Sequence, residues 1–501
     1  MGGGYSGKRK FLFSLTGCLC LLNRMDSVLL ILPALIESFL LRGKENFRKS
    51  FLPGVLGMSP FALWELFSLV YYGFPFPNTA YAKLSSGIPL REYIRQGFLY
   101  YVDTLNRDPL TLLTIFVAMV SAVLAFVKFR ERRVLCAALG MALYCVYVIR
   151  IGGDFMAGRF FSMTLFCGAT LLARLPVERR VSAVLVCAAL FYTVLLPANN
   201  LISGEAYQNE TIDERGIADE RGWYYQSTGL LRAVRGERGT LMNRHRWIRD
   251  AYEQMLTGEE VVEVGCVGFY GLTAGATLYV VDPFALGDAL IARLPAVYNP
   301  SWRIGHLTRR IPDGYIETLR TGENRFTDER LGEYYEILHN IISGDLFSLE
   351  RFGQIVNMNL GKYNRLIDGG FYRKKLERET PLRYLTAPVK DGDAYDSDNS
   401  WIFYNLDYAT IPLGETVHDE TFSFYAESDD EYSLILQKDG EEVYREAVGA
   451  TEDSGGMRIR YVKPPTAVAE KGYDAVTLIP SGGDYSFSIG CFAFGALSSA
   501  D

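Results

Sequence analysis

The apolar residues of this 501-residue chain are concentrated at one end, and this asymmetry constrains the fold more than any other feature. Seven apolar segments lie in the first 200 residues, at roughly 11–22, 27–41, 51–70, 109–127, 134–149, 160–173 and 181–197. The same 200 residues carry 21 Lys and Arg against 10 Asp and Glu, a formal charge of +11, whereas the remainder carries −18. A basic apolar half followed by an acidic polar half predicts a membrane domain joined to an extramembrane part.

Basic clusters lie at every second junction between these segments, at 8–10, 42–49, 128–133 and 174–180. Because loops rich in Lys and Arg stay in the cytoplasm, this alternation predicts seven crossings of the inner (plasma) membrane. The N-terminus is then cytoplasmic, and everything after about residue 198 is periplasmic or otherwise extracytoplasmic. A secretory signal peptide is an alternative interpretation of the first segment, which follows three basic residues.

The pattern changes twice along the chain and predicts three domains. Residues 1–199 form a transmembrane domain of about seven helices, and 200–378 form a mixed α/β extracytoplasmic domain. In the second domain, 261–270 and 276–282 have the β-branched composition of strands, while 232–255 and 328–342 have helical spacing. Residues 379–501 alternate in short runs separated by Asp, Gly and Ser, which predicts about eight strands in a β-sandwich or jelly roll.

Composition excludes several classes of function. The acidic half argues against a nucleic-acid partner, since binding of phosphate backbones needs a basic surface. Six of the eight cysteines lie in apolar runs, and no CxxC pair or Cys/His cluster has zinc spacing, so we expect neither a metal nor another cofactor. The acidic run 391–398 has carboxylates suited to calcium, but its spacing is not that of an EF-hand, and a solvated loop is favoured.

Two predicted outer loops carry the residues best suited to a ligand site in the membrane half. The first is rich in proline and aromatic residues and ends in the polar side chains of Asn78 and Lys83. The second places Arg150, Asp154 and Arg159 among glycines between two apolar segments. Arginine matches the oxygens of a phosphate and glycine permits close backbone approach, so one interpretation is a phosphate-binding site. The other is a salt bridge at the ends of two helices, and spacing alone leaves both open.

A polar and aromatic run in the second domain is a candidate for binding a substrate. It contains Trp302, Arg303, His306 and Tyr315, together with two further arginines. Aromatic and cationic side chains suit stacking on a sugar and contact with a phosphate. A turn with exposed arginines is the alternative, and on these residues alone it is slightly favoured.

Four stretches of the chain recur together in a known family. The sequence resembles the terminal β-arabinofuranosyltransferase family of cell-wall arabinan synthesis over roughly residues 20–375, with a weaker likeness in the β-rich tail. The stretches are Gly73–Lys83, Gly152–Phe160, Val281–Pro295, and Trp302–His306 followed by Ile311–Tyr315. Each is weak alone, and their shared order is fairly specific.

The resemblance implies a polytopic, inverting glycosyltransferase of the GT-C superfamily, embedded in the lipid bilayer. Such enzymes take a sugar from a polyprenyl-phosphate donor and transfer it to a cell-envelope glycan or glycolipid, and the resemblance implies arabinofuranose as the sugar. Asp154 and Arg159 would line the donor cavity with Arg159 on the phosphate, and Arg150 lies in the same loop. Asn78 and Lys83 would border the cavity, Arg303 and His306 would close it, and the tail would be similar to a carbohydrate-binding module.

One departure from the family separates two hypotheses. The family's general base is an Asp or Asp pair on the first outer loop, and no Asp-Asp pair stands in such a place here. We therefore expect about four helices and the catalytic loop to be missing from this chain, and its catalytic residue is unknown. The alternative function is a non-catalytic, membrane-anchored carbohydrate-binding or scaffold protein.

Overall fold

The chain forms two compact units that alternate along the sequence. The computed structural model describes residues 7–41, 47–174, 178–195, 212–213, 215–222, 224, 245–265, 267–299, 302–394, 399–404, 406–419, 421–451, 455–483 and 486–495. The first unit comprises Met1–Arg293, Arg303–Leu307 and Asp313–Leu366, and the second comprises Leu294–Trp302, Thr308–Pro312 and Ile367–Asp501. The backbone therefore passes from one unit to the other five times.

The first unit is mainly helical. Among the described residues its helices are α1 (Gly7–Asn23), α2 (Val28–Ile36), α3 (Phe47–Tyr71), α4 (Asn78–Leu84), α5 (Leu90–Arg107), α6 (Pro109–Phe129), α7 (Arg132–Arg150), α8 (Ser162–Leu172), α9 (Arg179–Leu195), α10 (Arg246–Met255), α11 (Val267–Ala274), α12 (Tyr315–Thr321), α13 (Glu329–Ser343) and α14 (Leu349–Asn359). Two short parallel strands, β1 (Val261–Glu263) and β2 (Tyr279–Val281), pair with each other. A π-helical turn, Glu37–Leu41, continues α2.

All seven predicted apolar segments are helical where the structure describes them, in α1, α2, α3, α6, α7, α8 and α9. Within the described part of the chain, three helices are long and apolar enough to cross a membrane, namely Phe51–Tyr71, Pro109–Phe129 and Arg132–Arg150. Arg159–Leu172 is apolar but shorter. Many aliphatic side chains on the three long helices are exposed, including Leu63 at 64% and Val127 at 62%. So many exposed leucine and valine side chains suit contact with lipid. These helices are therefore consistent with membrane association.

Small residues allow the apolar helices to pack closely. Helix α7 contacts α2 and α6, and α1 contacts α3. A Cβ added to Gly140 of α7 would lie 2.1 Å from the carbonyl oxygen of Leu30 in α2. Only glycine permits this backbone approach, which is a common way for helices to associate in a lipid environment.

For the predicted α/β domain, residues 200–378, the sequence predictions have mixed outcomes. The predicted helix 328–342 is confirmed by α13. The predicted strand 261–270 is wrong beyond Glu263, because Val267–Ala274 is helical. Tyr270 and Ala274 of that helix pack with Ala251 of α10, so tertiary packing outweighs local β-propensity. The predicted helix 232–255 begins at Arg246 in the described residues, and 232–244 lies outside them.

The second unit contains two four-stranded antiparallel sheets, as the sequence predicted for the tail. The strands are β3 (Trp401–Tyr404), β4 (Ala409–Val417), β5 (Phe422–Glu427), β6 (Glu431–Lys438), β7 (Glu441–Val448), β8 (Met457–Val462), β9 (Tyr473–Gly482) and β10 (Ser486–Phe494). Two short helices, α15 (Gly369–Arg373) and α16 (Thr466–Lys471), accompany them.

The strand order of the two sheets is β3-β10-β5-β8 and β4-β9-β6-β7. Strands that follow each other in the chain often lie in opposite sheets, which is the arrangement of a jelly roll with Greek-key connections. Both sheets contribute to a single apolar core, to which Trp401 and Phe424 belong on one side and Leu434 and Val476 on the other. Leu376 also lies in that core, so the unit's packing begins before the first strand of the sandwich.

Candidate anion-binding site

Asp154 and Arg159 face each other in the turn between α7 and α8. The Nε atom of Arg159 lies 2.5 Å from Oδ2 of Asp154, and the two side chains are 41% and 1% exposed. Burial raises the pKa of the Asp154 carboxyl, although the Arg159 guanidinium and the Lys83 ammonium act in the opposite direction. The turn thus presents a partly exposed guanidinium that is paired with a buried carboxylate.

The backbone of this turn is fixed by a buried tyrosine of α5. The hydroxyl of Tyr100 donates to the carbonyl oxygen of Met156 at 2.9 Å and accepts from the N–H of Phe160 at 3.2 Å. Tyr100 also stacks on Phe161, and both rings are completely buried. These contacts connect the two ends of the turn, so the positions of Asp154 and Arg159 are set by the packing of α5.

Lys83 brings a second cation to the same place from the end of α4. Burial lowers the pKa of its ammonium group, Asp154 opposes this by attraction, and the positive charges of Arg159 and Arg24 lower it further. An ammonium group that is partly desolvated beside two guanidinium groups gains from an incoming anion, because that anion restores the lost favourable interactions.

The ring of Phe155 joins the turn to the segment 303–307. The guanidinium carbon of Arg159 lies 5.4 Å from the centroid of this ring, and that of Arg303 lies 5.2 Å from it. The imidazole of His306 meets the same ring edge-on at 4.7 Å. Phe155 therefore brings together one residue of the predicted donor site, Arg159, and two residues of the predicted substrate site, Arg303 and His306, around an aromatic ring whose face attracts cations.

Arg303 and His306 are themselves held by polar contacts. Arg303 pairs with Glu220 at 2.9 Å and donates from Nε to the carbonyl oxygen of Gly216 at 2.7 Å. Burial lowers the pKa of His306, and the positive charges of Arg303 and Lys83 act in the same direction. These effects favour the neutral imidazole of His306 over a further positive charge.

The sequence reasoning did not assign Arg24 to this site. Its guanidinium lies 4.9 Å from the ring centroid of Phe160, and Arg159 lies 5.8 Å from the same ring. Arg24 makes a two-pronged contact with Asp26, with Nη2 at 2.5 Å and Nε at 3.0 Å from the carboxylate. No local signal marks this role, because Arg24 and Phe160 are separated by more than a hundred positions in the chain.

The charges of this cluster do not balance. Three arginines, Arg24, Arg159 and Arg303, each have a carboxylate partner within hydrogen-bond distance. Lys83 adds a fourth positive charge, for which the described part of the chain places no carboxylate within ion-pair distance. The excess of one positive charge, together with the exposed fraction of Arg159, makes the cluster suited to an anion such as a phosphate.

Other predicted site residues lie elsewhere. Asn78 begins α4 and donates to the carbonyl oxygens of Ala285, Leu286 and Asp288 at 3.0–3.3 Å, so its amide holds a loop. Arg150 ends α7 with an exposed side chain, and among the described residues no hydrogen bond or ion pair joins it to the cluster. Trp302 belongs to the second unit.

Tyr315 lies in a second buried polar group of the first unit. Its hydroxyl donates to Oδ2 of Asp288 at 2.9 Å and lies 3.4 Å from the hydroxyl of Tyr279. Asp288 is 1% exposed, and burial raises its pKa to about 6, although the N–H of Ile291 donates to the carboxylate. Tyr315 and Asp288 are enclosed and bonded to each other, which indicates a structural role, whereas Tyr279 is 45% exposed.

Arg293 contacts the proline-rich loop that leads into α4. Its guanidinium stacks 4.0 Å from the ring centroid of Phe74 and 4.8 Å from that of Tyr81, and it donates to Asn78 Oδ1 at 3.5 Å. The contact fixes the loop that leads into α4, and Lys83 stands at the end of that helix. Arg293 therefore positions Lys83 indirectly.

Three carboxylates in the second unit lie close enough to consider as metal ligands. Oxygen atoms of Glu427, Asp429 and Asp430 are within 4.8 Å of one another. Arg460 donates to the carbonyl oxygens of Glu427 and Ser428 at 2.8 and 3.2 Å. Its guanidinium also interacts electrostatically with the carboxylate of Asp430. A fixed guanidinium already supplies positive charge here, so we assign no metal to this cluster.

Comparison of the chain with models of protein families, with curated proteins and with solved structures finds no match.

Proposed function

We propose that this chain acts as a membrane glycosyltransferase that takes a sugar from a polyprenyl-phosphate donor and transfers it to a cell-envelope glycan or glycolipid. The observation that supports this best is the meeting of Lys83, Asp154, Arg159, Arg303 and His306 around Phe155. The cluster follows a candidate membrane span, where the phosphate of a lipid-linked donor would arrive. The likeness in sequence to arabinofuranosyltransferases of the GT-C superfamily suggests arabinofuranose as the sugar.

In this proposal, Arg159 and Lys83 bind the donor phosphate. Arg159 is the most exposed of the three arginines in the cluster that pair with a carboxylate, at 41% against 15% for Arg303. An incoming phosphate therefore reaches Arg159 most easily. When the sugar leaves, negative charge grows on the phosphate, and positioned cations lower the energy of that transition state. Guanidinium geometry also lets Arg159 contact two phosphate oxygens at once.

Asp154 is a positioning residue in this scheme. It is 1% exposed and paired with Arg159, so it orients the guanidinium and limits the charge repulsion with Lys83. An inverting transfer needs a carboxylate within hydrogen-bond reach of the acceptor hydroxyl, and a buried, paired carboxylate does not offer that reach. We assign the general base to none of the described residues.

The second candidate function is a membrane-anchored carbohydrate-binding protein without catalysis. The jelly roll of the second unit favours it, because Tyr425 and Tyr461 lie on neighbouring strands and Tyr461 is 63% exposed. Exposed tyrosine rings are suited to stacking on sugars. This candidate predicts glycan binding without consumption of a polyprenyl-phosphate sugar.

The test uses the full chain in membranes and purified in detergent. Binding of polyprenyl phosphate and consumption of polyprenyl-phosphate arabinofuranose are measured per folded molecule for Arg159→Lys, Asp154→Asn and Lys83→Gln. Charge-assisted contacts to phosphate contribute roughly 1.5–3 kcal/mol, so Arg159→Lys should weaken binding or turnover about ten- to a hundredfold. Arg95→Lys, which changes an exposed arginine on α5, is the matched control and should leave both quantities unchanged.

Two outcomes decide against the proposal. Wild-type binding and turnover in Arg159→Lys and Asp154→Asn would mean that the pair is only a salt bridge at the ends of two helices. Glycan binding that persists while no variant, including the wild type, binds polyprenyl phosphate would favour the carbohydrate-binding candidate.

A further inference from the structure

A pocket lies among α1, α2 and α7, apart from the anion-binding site. Its volume is about 160 Å³, and Arg9, Lys10 and Arg133 contribute the positive charge of its lining. Engineered cavities of about 150 Å³ hold a benzene molecule, so a pocket of this size accommodates a phosphate group. The pocket is therefore large enough for one headgroup of a phospholipid, with its glycerol partly outside.

The charges around the pocket favour an anion. Arg9, Lys10 and Arg133 provide three positive charges, and Glu37 provides one carboxylate, which is 7% exposed. With these groups ionised, the lining has a formal charge of +2. Arg9 and Arg133 are exposed at the rim, whereas Glu37 is buried in the π-helical turn that continues α2. An entering anion would thus meet the cations before the carboxylate.

The remaining lining is apolar. Phe13 of α1 is 38% exposed, Ala34 is half-buried and Cys136 of α7 is 8% exposed. A free inorganic phosphate gains nothing from such a wall, since burial against apolar groups removes its hydration without compensation. The glycerol and first methylene groups of a lipid do gain from it, because their burial removes apolar surface from water.

The pocket also lies where lipid headgroups are expected. Arg133 is the second residue of the candidate span Arg132–Arg150, so its backbone marks one end of that span. The neighbouring span Pro109–Phe129 ends in the same basic segment, and the positive-inside pattern predicts that this end is cytoplasmic. Basic pockets between membrane helices at the cytoplasmic side are typical binding sites for anionic lipid headgroups.

We propose that this pocket binds the headgroup phosphate of an anionic phospholipid. Arg9, Lys10 and Arg133 contact the phosphate oxygens, and Phe13 and Cys136 contact the glycerol and the start of an acyl chain. The bound lipid would join the N-terminal ends of α1 and α7 to the C-terminal extension of α2. This inference does not depend on the proposed transfer of sugar, because the two sites share no residue.

The chain offers a matched control for testing this site. The pocket variant is Arg9→Gln, Lys10→Gln and Arg133→Gln together, and the control is Lys8→Gln, Arg130→Gln and Arg132→Gln together. Each set removes two arginines and one lysine from the same end of the helices, and the control residues are exposed. Only the first set lines the pocket.

The measurement is the affinity of the purified full chain for a short-chain phosphatidylglycerol, with phosphatidylcholine and inorganic phosphate as separate probes. Each cation near an anionic lipid contributes about 1 kcal/mol, so the pocket variant should lose about a hundredfold in phosphatidylglycerol affinity. The control variant should lose less than about tenfold in phosphatidylglycerol affinity. Native mass spectrometry should show phosphatidylglycerol or cardiolipin co-purifying with the wild type and the control, and not with the pocket variant.

A second variant keeps the proposal testable if the pocket variant does not fold. Glu37→Gln removes the only carboxylate that the described lining contains, so phosphatidylglycerol affinity should rise about fivefold. Equal losses in both triple variants would overturn the proposal, since general surface charge would then explain the binding. Weaker binding by Glu37→Gln, or inorganic phosphate binding as tightly as the lipid, would also overturn it.

Discussion

Two arginines of the first unit, Arg351 and Arg159, are held in opposite ways. Arg351 is completely buried, and its guanidinium donates to the carbonyl oxygens of Val70, Tyr71, Ile341 and Leu346 at 2.7–3.3 Å. Arg159 is 41% exposed and its partner is the carboxylate of Asp154. The first arginine bonds only to backbone carbonyls in these contacts, and the second bonds to a charge.

The difference shows how to separate a structural cation from a ligand-binding one. Val70 and Tyr71 are the last residues of α3, where carbonyl oxygens have no partner within the helix and carry the negative end of its dipole. Arg351 fills that end, and four contacts occupy most of the five N–H groups of a guanidinium. Arg159 keeps part of its surface in solvent, so an anion reaches it without unfolding any helix.

The largest effect that tests this comparison is expected at Arg351. Arg351→Met removes the hydrogen bonds and leaves buried carbonyls without donors, at roughly 1–3 kcal/mol for each group, so the protein should lose about 3–5 kcal/mol of stability. Thermal unfolding in detergent and the amount of protein in membranes both measure this loss. Binding of polyprenyl phosphate per folded molecule should stay unchanged, because the residues to which Arg351 bonds are not part of the anion-binding cluster.

Arg320→Met is the control for that prediction. Arg320 is 47% exposed and pairs with Glu317 at 3.7 Å on α12, and exposed pairs contribute about 0–1 kcal/mol. If the two variants unfold at the same temperature, Arg351 does not hold the end of α3 as described.

The next effect concerns pH and tests a second enclosed group, Asp288. Its pKa is raised to about 6 by burial, above the usual value near 4 for an unfolded chain. The folded state therefore binds the proton more tightly, and the contribution of this group to stability falls as the pH rises from about 4 to 6. Asp288→Asn removes this loss, so its stability relative to the wild type should increase by about 2–3 kcal/mol between pH 4 and pH 7.

Thermal unfolding of both proteins at each pH measures this difference. Asp328→Asn is the control, since asparagine caps a helix about as well as the aspartate that now caps α13. A difference between Asp288→Asn and the wild type that does not change with pH would contradict an enclosed, proton-binding carboxylate at this position.

The smallest effect is expected at Gly305, which tests the packing around Phe155. Gly305 has a φ of +75°, and an added Cβ would lie 2.9 Å from the Phe155 ring. Gly305→Ala should cost about 1–2 kcal/mol for the left-handed backbone and should also move the ring that Arg159 and Arg303 contact. We expect reduced stability and weaker binding of polyprenyl phosphate together.

Gly322→Ala isolates the second part of that effect. Gly322 has a φ of +71° and no atom within 4 Å of its added Cβ, so it has the same backbone cost without a clash. Equal polyprenyl phosphate affinity in the two alanine variants would show that Phe155 does not organise the cluster.

The sequence predicted those parts of the molecule that depend on neighbouring residues. The apolar helices follow from local hydropathy, and the pairing of Asp154 with Arg159 follows from a short turn between two of them. The individual strands of the second unit, though not their pairing, follow from alternation in short runs. Each of these features is decided within about twenty residues.

The sequence did not predict features that depend on distant contacts. Asn78 was expected beside Lys83 in the donor site, but its amide bonds to carbonyls about two hundred positions later. Tyr315 was expected beside His306, but its hydroxyl bonds to Asp288 in an enclosed group. Arg24 had no expected role at the Phe160 ring. Residue type signalled polarity in all three cases, and only the fold determines which partner satisfies it.

The alternation of the two units along the backbone has a consequence for synthesis on the ribosome. Leu294–Trp302 and Thr308–Pro312 emerge well before the strands of the unit to which they belong, and Asp313–Leu366 of the first unit emerges after them. Neither unit therefore has its full set of residues until translation has passed position 366, and the jelly roll waits for almost the whole chain. No single cut in the gene therefore separates the two units.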